Sequence, residues 1–156
     1  MTKRKFPAKP GHLLRRCHQI GVAIFLDACA EFDLTPLQFA VLQALLDDGA
    51  QDQVTLGGAT AMDRTTITLL LRNLERRGLL RRDRSTHDQR AKIVTITPAG
   101  RKLLQAAQPA VEFAQQRIVA PLSKAETAHL LRLLEKLADN NNEFSRAPER
   151  QQRRSA

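Results

Sequence analysis

Apolar side chains recur at helical spacing along most of this chain, so the pattern predicts a mainly α-helical protein. A first helix is predicted over residues 11–32. Thr35 is expected to cap a second helix, because Pro36 suits the first helical position and the Gln38 side chain can reach back to the cap backbone. Gly49 follows the last apolar positions of that helix and predicts its end.

Two further helices are predicted in the middle of the chain. After a short polar linker, Thr55 is expected to cap a brief third helix that runs through Ala61. Asp63 is expected to cap a fourth helix. That helix should end at Arg77, because a basic residue followed by Gly78 is a common helix terminus.

A pair of short strands is predicted after the fourth helix. They are expected over residues 79–83 and 91–97, and alternation in the second places Val94 and Ile96 on one face. The pattern therefore predicts a helix, a turn, a second helix and a two-stranded hairpin. Such a unit can present a helix to one groove of a duplex and a basic loop to the next.

The C-terminal part of the chain predicts two long helices. The first should begin at Thr97 and continue through Pro109, which favours a kink or a lost hydrogen bond. The second should begin at Ser123, which forms a capping box with Glu126. Apolar stripes are expected on both helices, at Leu103, Ala107, Val111, Ala114, Ile118 and Leu122, and at Leu130, Leu131, Leu134 and Leu137.

These stripes must be covered, and the pattern favours a symmetric dimer formed by the first and the last two helices. A monomer that folds its terminal helices over itself is the alternative. The predicted fold class is mainly α with a small β wing, a winged helix-turn-helix with terminal dimerisation helices. The expected organisation is one domain over residues 11–139, with dimerisation helices at 11–32 and 98–139, a winged unit at 35–97, and flexible tails at 1–10 and 140–156.

Net charge narrows the class of partner. The chain carries 25 Lys and Arg against 16 Asp and Glu, a formal charge of +9, which favours nucleic acid over other partners. Seven of these cations are expected to lie in frayed ends, so location matters more than the total; they are Lys3, Arg4, Lys5, Arg146, Arg150, Arg153 and Arg154. The two cysteines and the absence of a long apolar run favour a cytoplasmic protein that has no membrane partner.

Short hydroxyl side chains and a cation gather at the start of the predicted fourth helix. They are Arg64, Thr65, Thr66 and Thr68. A helix N-terminus carries partial positive charge, and side chains there can reach phosphates or base edges. We therefore expect these residues to contact DNA. In the alternative, Thr65 and Thr66 only cap and solvate the helix start, and Arg64 is a solvated surface cation.

The chain resembles the MarR family of winged helix-turn-helix regulators over nearly its whole length, from about Gly11 to Asn140. The matching segments, in order, are residues 34–39, 63–68, 74–79, Arg82, 88–91 and 96–100. Three groups of such matches at the expected spacing are far more specific than one. The resemblance implies a homodimeric transcriptional regulator that binds double-stranded operator DNA. Leu69 departs from the family, in which Arg is common at this place.

The resemblance also implies a function for the loop between the two strands. Asp88 and Arg90 match the family's Asp-x-Arg, in which the carboxylate holds the guanidinium for entry into the minor groove. Arg84, His87 and Lys92 are further candidates, as phosphate contacts. A surface ion pair without function is the alternative for Asp88 and Arg90. Three later cations, Arg72, Arg76 and Arg77, are assigned to solvent or to outer phosphates.

The family resemblance further implies a repressor that a small molecule releases from DNA. An anionic aromatic ligand needs cations for its carboxylate and an apolar slot for its ring. Candidates for the first are His12, Arg15, Arg16, His18 and Gln19, and candidates for the second are Phe39, Val41 and Leu42. The start of the chain is similar to the hydroxynicotinate-type repressors of aromatic-acid breakdown. Arg15 and Arg16 could instead solvate a dimer edge.

Other functions are less favoured by the residues. Cys17 could sense oxidants, but the chain has no Tyr to make the thiol acidic. A metal switch at His12, Cys17, His18 and Cys29 matches no common spacing. The chain contains no Gly-rich phosphate loop or Gly-x-Ser-x-Gly motif, so no catalytic residue, cofactor or metal site is expected. A non-specific architectural DNA-binding protein remains an alternative.

Overall fold

The computed structural model describes residues 9–84 and 92–148. The helices are α1 (Pro10–Ala28), α2 (Pro36–Asp47), α3 (Gln53–Ala59), α4 (Arg64–Arg76), α5 (Pro98–Val119) and α6 (Lys124–Asn140). The strands are β1 (Gln51–Asp52), β2 (Leu80–Arg84) and β3 (Lys92–Ile96), and 3-10 turns lie at Ala30–Phe32 and Asn142–Phe144. The predicted fold class, mainly helical with a small β wing, is confirmed. None of the helices in these ranges is apolar over a length that could cross a membrane.

Most of the predicted helix starts are confirmed by their capping contacts. The Thr35 hydroxyl accepts a hydrogen bond from the Gln38 amide at 3.2 Å, and Gln38 Oε1 accepts one from the Thr35 amide at 3.0 Å. Ser123 forms the same reciprocal box with the third residue of α6. Asp63 caps α4 and Thr97 caps α5. The helix α5 stays continuous through Pro109.

The predicted start of the third helix is wrong. The cap is Asp52, whose carboxylate accepts hydrogen bonds from the amides of Val54 at 2.9 Å and Thr55 at 3.0 Å. The Thr55 hydroxyl itself donates to Asp52, at 2.6 Å. An Asp stands three residues before Thr55, and either residue type can cap, so the local pattern could not decide between them.

The sheet has three strands rather than the predicted two. Its order is β1-β3-β2 and both pairings are antiparallel. The two residues of β1 lie in the segment that the sequence predicted as a linker, because a two-residue strand is too short to show alternation. As predicted, Val94 and Ile96 are buried on one face of β3. The first helix also ends earlier than expected, at Ala28, and a 3-10 turn covers the remainder.

The core lies where α1, α2, α3, α4, the sheet and the buried face of α5 meet. Leu42, Leu71 and Val94 are fully buried there. On α5 the predicted stripe is buried at Ala107, Val111 and Ala114. At its start Leu104 is the buried residue, and Leu103 is only partly buried against the core. At the start of α5, an added Cβ on Gly100 would lie 2.2 Å from the Leu79 carbonyl oxygen. The helix therefore packs directly on the backbone that enters β2.

The final helix is packed differently from all the others. No residue of α6 is buried in the single chain. Its large apolar side chains are exposed, at Leu131, Leu133, Leu134 and Leu137. Further exposed apolar side chains lie on α1 and α5, at Leu14, Ile20, Leu26, Phe113 and Ile118. The terminal helices of one chain thus present a broad apolar surface to solvent.

Candidate nucleic-acid interface

The outer face of α4 carries four exposed residues at helical spacing. They are Thr65, Leu69, Arg72 and Arg76. Spacings of four, three and four residues place these side chains in one row along the helix. Ile67, Leu71 and Leu74 are buried on the opposite face. We refer to the four exposed residues as the outer stripe of α4.

The N-terminal end of this stripe is held by Asp63. Its carboxylate accepts a hydrogen bond from the Thr66 amide at 2.8 Å. That hydrogen bond, followed by one from the Thr66 side chain, lowers the pKa of Asp63, and the charge of Arg146 acts in the same direction. Thr66 is partly buried and serves the cap, whereas Arg64 and Thr65 are exposed. Of the residues predicted at this tip, Arg64 and Thr65 are the two whose side chains are open to a ligand.

Thr68 has a structural function that the sequence did not reveal. Its hydroxyl donates to the Arg64 carbonyl at 2.6 Å and accepts from Gln53 Nε2 at 2.7 Å. Gln53 is the first residue of α3, so this contact joins the two helices of the helix-turn-helix. Because its proton is already donated, the Thr68 hydroxyl is a poorer candidate for DNA contact than Thr65. Gln53 was missed because a lone Gln after an Asp carries no distinctive local signal.

The first strand of the hairpin, β2, is fixed to α4 by an ion pair. Arg82 Nε donates to Glu75 Oε2 at 2.9 Å, and the second guanidinium nitrogen contacts the same oxygen. The Arg82 side chain is largely buried, with 14% of its surface exposed. Its hydrogen bond holds the pKa of Glu75 below its ordinary value. The orientation of β2 relative to α4 is therefore set by a charged contact as well as by the core.

The far end of the described hairpin is basic. Arg84 and Lys92 face each other in the register of β2 and β3, and both are exposed. Their predicted use as phosphate contacts is compatible with this position. His87, Asp88 and Arg90 lie outside the described residues.

Arg77 does not point to solvent, so its assignment to outer phosphates or solvent was wrong. Its guanidinium donates to the Asp33 carbonyl at 2.8 Å and lies 3.7 Å from the Asp33 carboxylate. A second contact joins α2 to α4, because Gln38 Nε2 donates a hydrogen bond to Asn73 Oδ1 at 3.0 Å. The last turn of α4 is thereby bound to the connection between α1 and α2. Arg72 and Arg76 remain exposed.

The predicted effector residues fall into two groups in the structure. The polar group lies on α1 and is exposed, and His12, Arg15, Arg16 and Gln19 recur on one face of that helix while His18 lies on another. The apolar group is not equally open. Phe39 is half-buried, with its ring 6.0 Å from that of Phe25. Leu42 is fully buried, so a ligand could reach it only if the core opened there.

The two cysteines have contrasting environments. Cys29 is fully buried, and burial raises the pKa of its thiol, which makes it a poor nucleophile. Cys17 is exposed on α1. Across residues 9–84 and 92–148, no three His, Cys, Asp or Glu side chains gather in a way that could hold a metal ion. The residues weighed for a metal switch, His12, Cys17, His18 and Cys29, therefore do not converge.

Comparison with known proteins identifies the relatives of this fold. Residues 34–92 match the MarR family model. The transcriptional repressor NicR of Pseudomonas putida is 35% identical over 131 residues, which cover 84% of this chain and 83% of NicR. The structure of Bordetella bronchiseptica BpsR, whose DNA binding is regulated by 6-hydroxynicotinic acid, is 38% identical with a TM-score of 0.82 and coverage of 87% and 97%. The repressor CouR bound to a 23-mer DNA duplex is 30% identical, with a TM-score of 0.78 and coverage of 83% and 92%.

Proposed function

This chain belongs to the MarR family of transcriptional regulators, and we propose that it is a homodimeric repressor that a small aromatic carboxylate releases from operator DNA. The observation that carries the DNA-binding part is the outer stripe of α4. It joins a hydroxyl-bearing helix tip to two exposed cations, Arg72 and Arg76. A helix that inserts by its N-terminal end into the major groove places such residues against base edges and phosphates.

The wing supplies the second DNA contact in this proposal. The Arg82–Glu75 pair holds β2 against α4. Arg84 and Lys92 at the described end of the hairpin would reach phosphates. Asp88 and Arg90 in the intervening loop keep the function that the family resemblance implies, entry of the Arg90 guanidinium into the minor groove.

The dimer in this proposal covers the apolar surface of the terminal helices. Leu131 and Leu137 each expose 52% of their surface in the single chain, which is unusual for two leucines on one helix. A hollow of about 430 Å³ lies between the end of α5 and the start of α6, and its lining is mainly apolar. A second copy of the chain would fill this surface and place two α4 helices on successive turns of DNA.

The effector in this proposal binds on the N-terminal half of α1. His12, Arg15, Arg16 and Gln19 offer donors for a carboxylate on one exposed face of α1. The likeness to NicR, and to BpsR with its 6-hydroxynicotinic acid regulation, supports an aromatic acid as the ligand class. Since α1 also packs against α2 through Phe25 and Phe39, a ligand there could alter the position of the winged unit.

Footprinting of the full chain on its own promoter region tests this proposal. A specific dimer should protect a near-palindrome with half-sites about one helical turn apart, and its affinity should fall steeply with salt. Adding 6-hydroxynicotinate or related aromatic acids should release the DNA. Uniform protection of all sequences would indicate an architectural protein instead.

The effector site is tested by a double substitution. Arg15→Ala together with Arg16→Ala should abolish the response to the aromatic acid in a mobility-shift titration. Lys102→Ala removes an exposed cation from α5 and serves as the matched control, which should keep the response. An unchanged response in the double variant would contradict the proposed carboxylate contacts.

A further inference from the structure

An exposed leucine occupies the centre of the outer stripe of α4. Leu69 keeps 61% of its surface accessible, whereas Leu71, two residues later, is fully buried. Its neighbours in the stripe are Thr65 on one side and Arg72 on the other. An aliphatic side chain between polar ones leaves more than half of its surface in water in the free protein, so most of its hydrophobic burial energy is unused there.

The rotation of α4 keeps Leu69 on the outside. Ile67 and Leu71, on either side of it in sequence, are both buried in the core. The adjacent Thr68 is held by two hydrogen bonds, to the Arg64 carbonyl and from Gln53 of α3. These contacts fix the helix about its axis, so Leu69 cannot turn into the core without breaking them.

We propose that Leu69 is a specificity-determining residue that contacts the 5-methyl group of a thymine in the major groove. This inference rests on the proposed function, since it assumes that α4 enters that groove. Among the four ordinary bases, thymine is the one that presents an apolar group, its 5-methyl, in the major groove. An aliphatic side chain recognises that methyl group by direct contact. Arg64, Arg72 and Arg76 surround Leu69 with positive charge, which favours DNA over an apolar protein partner for this face.

Replacing thymine with uracil in the operator tests this inference. The exchange removes one methyl group and keeps base pairing, so it isolates the proposed contact. With the full chain, one thymine in each half-site should be found at which uracil weakens binding about three- to fivefold, the effect of one buried methyl group. The variant Leu69→Ala should bind the thymine and uracil operators equally. Because Leu69 is exposed, this variant should fold normally.

Arg72→Ala provides the matched control on the same stripe. Loss of a phosphate contact should weaken binding to both operators by the same factor and preserve their ratio. If no uracil exchange affects the wild-type protein, or if Leu69→Ala keeps the preference for thymine, the inference is overturned while the proposed function stands. If the wild-type protein protects no operator, both are overturned.

Discussion

The winged unit and the terminal helices of this chain differ in how completely each buries its apolar side chains within the single chain. The winged unit closes its core with fully buried side chains such as Leu42, Leu71 and Val94. Its polar contacts also end within the unit or at its border, as Arg82 with Glu75 shows. In α6, by contrast, every residue is accessible to solvent in the single chain. One region is complete in one chain, and the other needs a second surface.

This difference shows where regulation can act. A closed core transmits displacement as a rigid body, since its side chains have no free space to absorb it. The terminal helices instead leave apolar side chains exposed, so part of their packing depends on a surface outside the single chain. The two regions meet where α1 and α5 pack on the core of the winged unit, and at the connection between α1 and α2, which Arg77 binds to the end of α4. A displacement of the terminal helices would therefore reach α4 through these contacts.

The largest predicted effect tests whether α6 depends on a partner. Leu131→Asp combined with Leu137→Asp should dissociate the dimer. Each chain loses two leucines that are half-exposed in the single chain, so the four leucines of the dimer no longer contribute burial energy across the interface, roughly 4–6 kcal/mol in total. Sedimentation should show a monomer, while circular dichroism should still show the helices of the winged unit. Operator affinity should fall with the loss of the second half-site.

The control for this experiment is Lys136→Asp, which introduces an aspartate on the polar face of α6. This variant should remain dimeric. A double variant that stays dimeric would show that α6 is not the dimer surface. One that unfolds completely would show that the winged unit does not stand alone, and would break the contrast between the two regions.

A smaller effect is predicted where the start of α5 packs on the closed region. Gly100→Ala would place a methyl group 2.2 Å from the Leu79 carbonyl oxygen and 2.8 Å from the Ile96 side chain. Since the first of these is backbone, the start of α5 must shift, and we expect a loss of about 3 kcal/mol in the free energy of unfolding. Denaturation at fixed protein concentration measures it.

Gly11→Ala is the matched substitution in the open region. Nothing lies within 4 Å of a Cβ at that position, so the variant should be unchanged or slightly more stable. Equal losses in the two variants would mean that the start of α1 is as tightly packed as the start of α5. The start of α1 would then be covered in the assembled protein, and the contrast between the regions would hold only for the isolated chain.

The sequence predicted those features of the fold that local chemistry determines. The capping boxes at Thr35 and Ser123 predict helix starts, because each depends on a pair of residues only three positions apart. Gly78 has a φ of 69°, and a glycine after a basic residue is the usual signal of such a helix end. Features that depend on distant partners were missed, and β1 is the clearest case, since its two residues are a strand only because β3 lies beside them.

The candidate site shows the same division. Exposure of Arg64 and Thr65 at a helix tip follows from the cap at Asp63 and from helical periodicity. The structural functions of Thr68 and Arg77 do not, because Gln53 is 15 residues away from the first and Asp33 is 44 residues away from the second. A threonine or an arginine on a DNA-reading helix looks the same in sequence whether it faces solvent or joins two helices.

The smallest predicted effect is a pH dependence of the free energy of unfolding, which arises in the winged unit. Arg82 lowers the pKa of Glu75 below its ordinary value of 4.5. The stabilisation from this pair is therefore fully present above the ordinary pKa and is lost as the pH falls through the lower pKa of the folded state. Compared with Glu75→Gln, the wild-type winged unit should be more stable near neutral pH by at most about 1 kcal/mol, since the carboxylate is partly exposed, and the difference should vanish in acid.

Thermal unfolding followed by circular dichroism, from about pH 6 down to pH 3, measures this difference. The oligomeric state should be the same in wild type and Glu75→Gln at each pH, because Glu75 lies in the winged unit, away from the apolar face of α6. A pH-independent difference in stability would show that Glu75 acts through packing rather than charge. A change in dimer content would instead mean that the charged contact between α4 and β2 is felt by the terminal helices, and that the closed region and the open one are coupled even without a ligand.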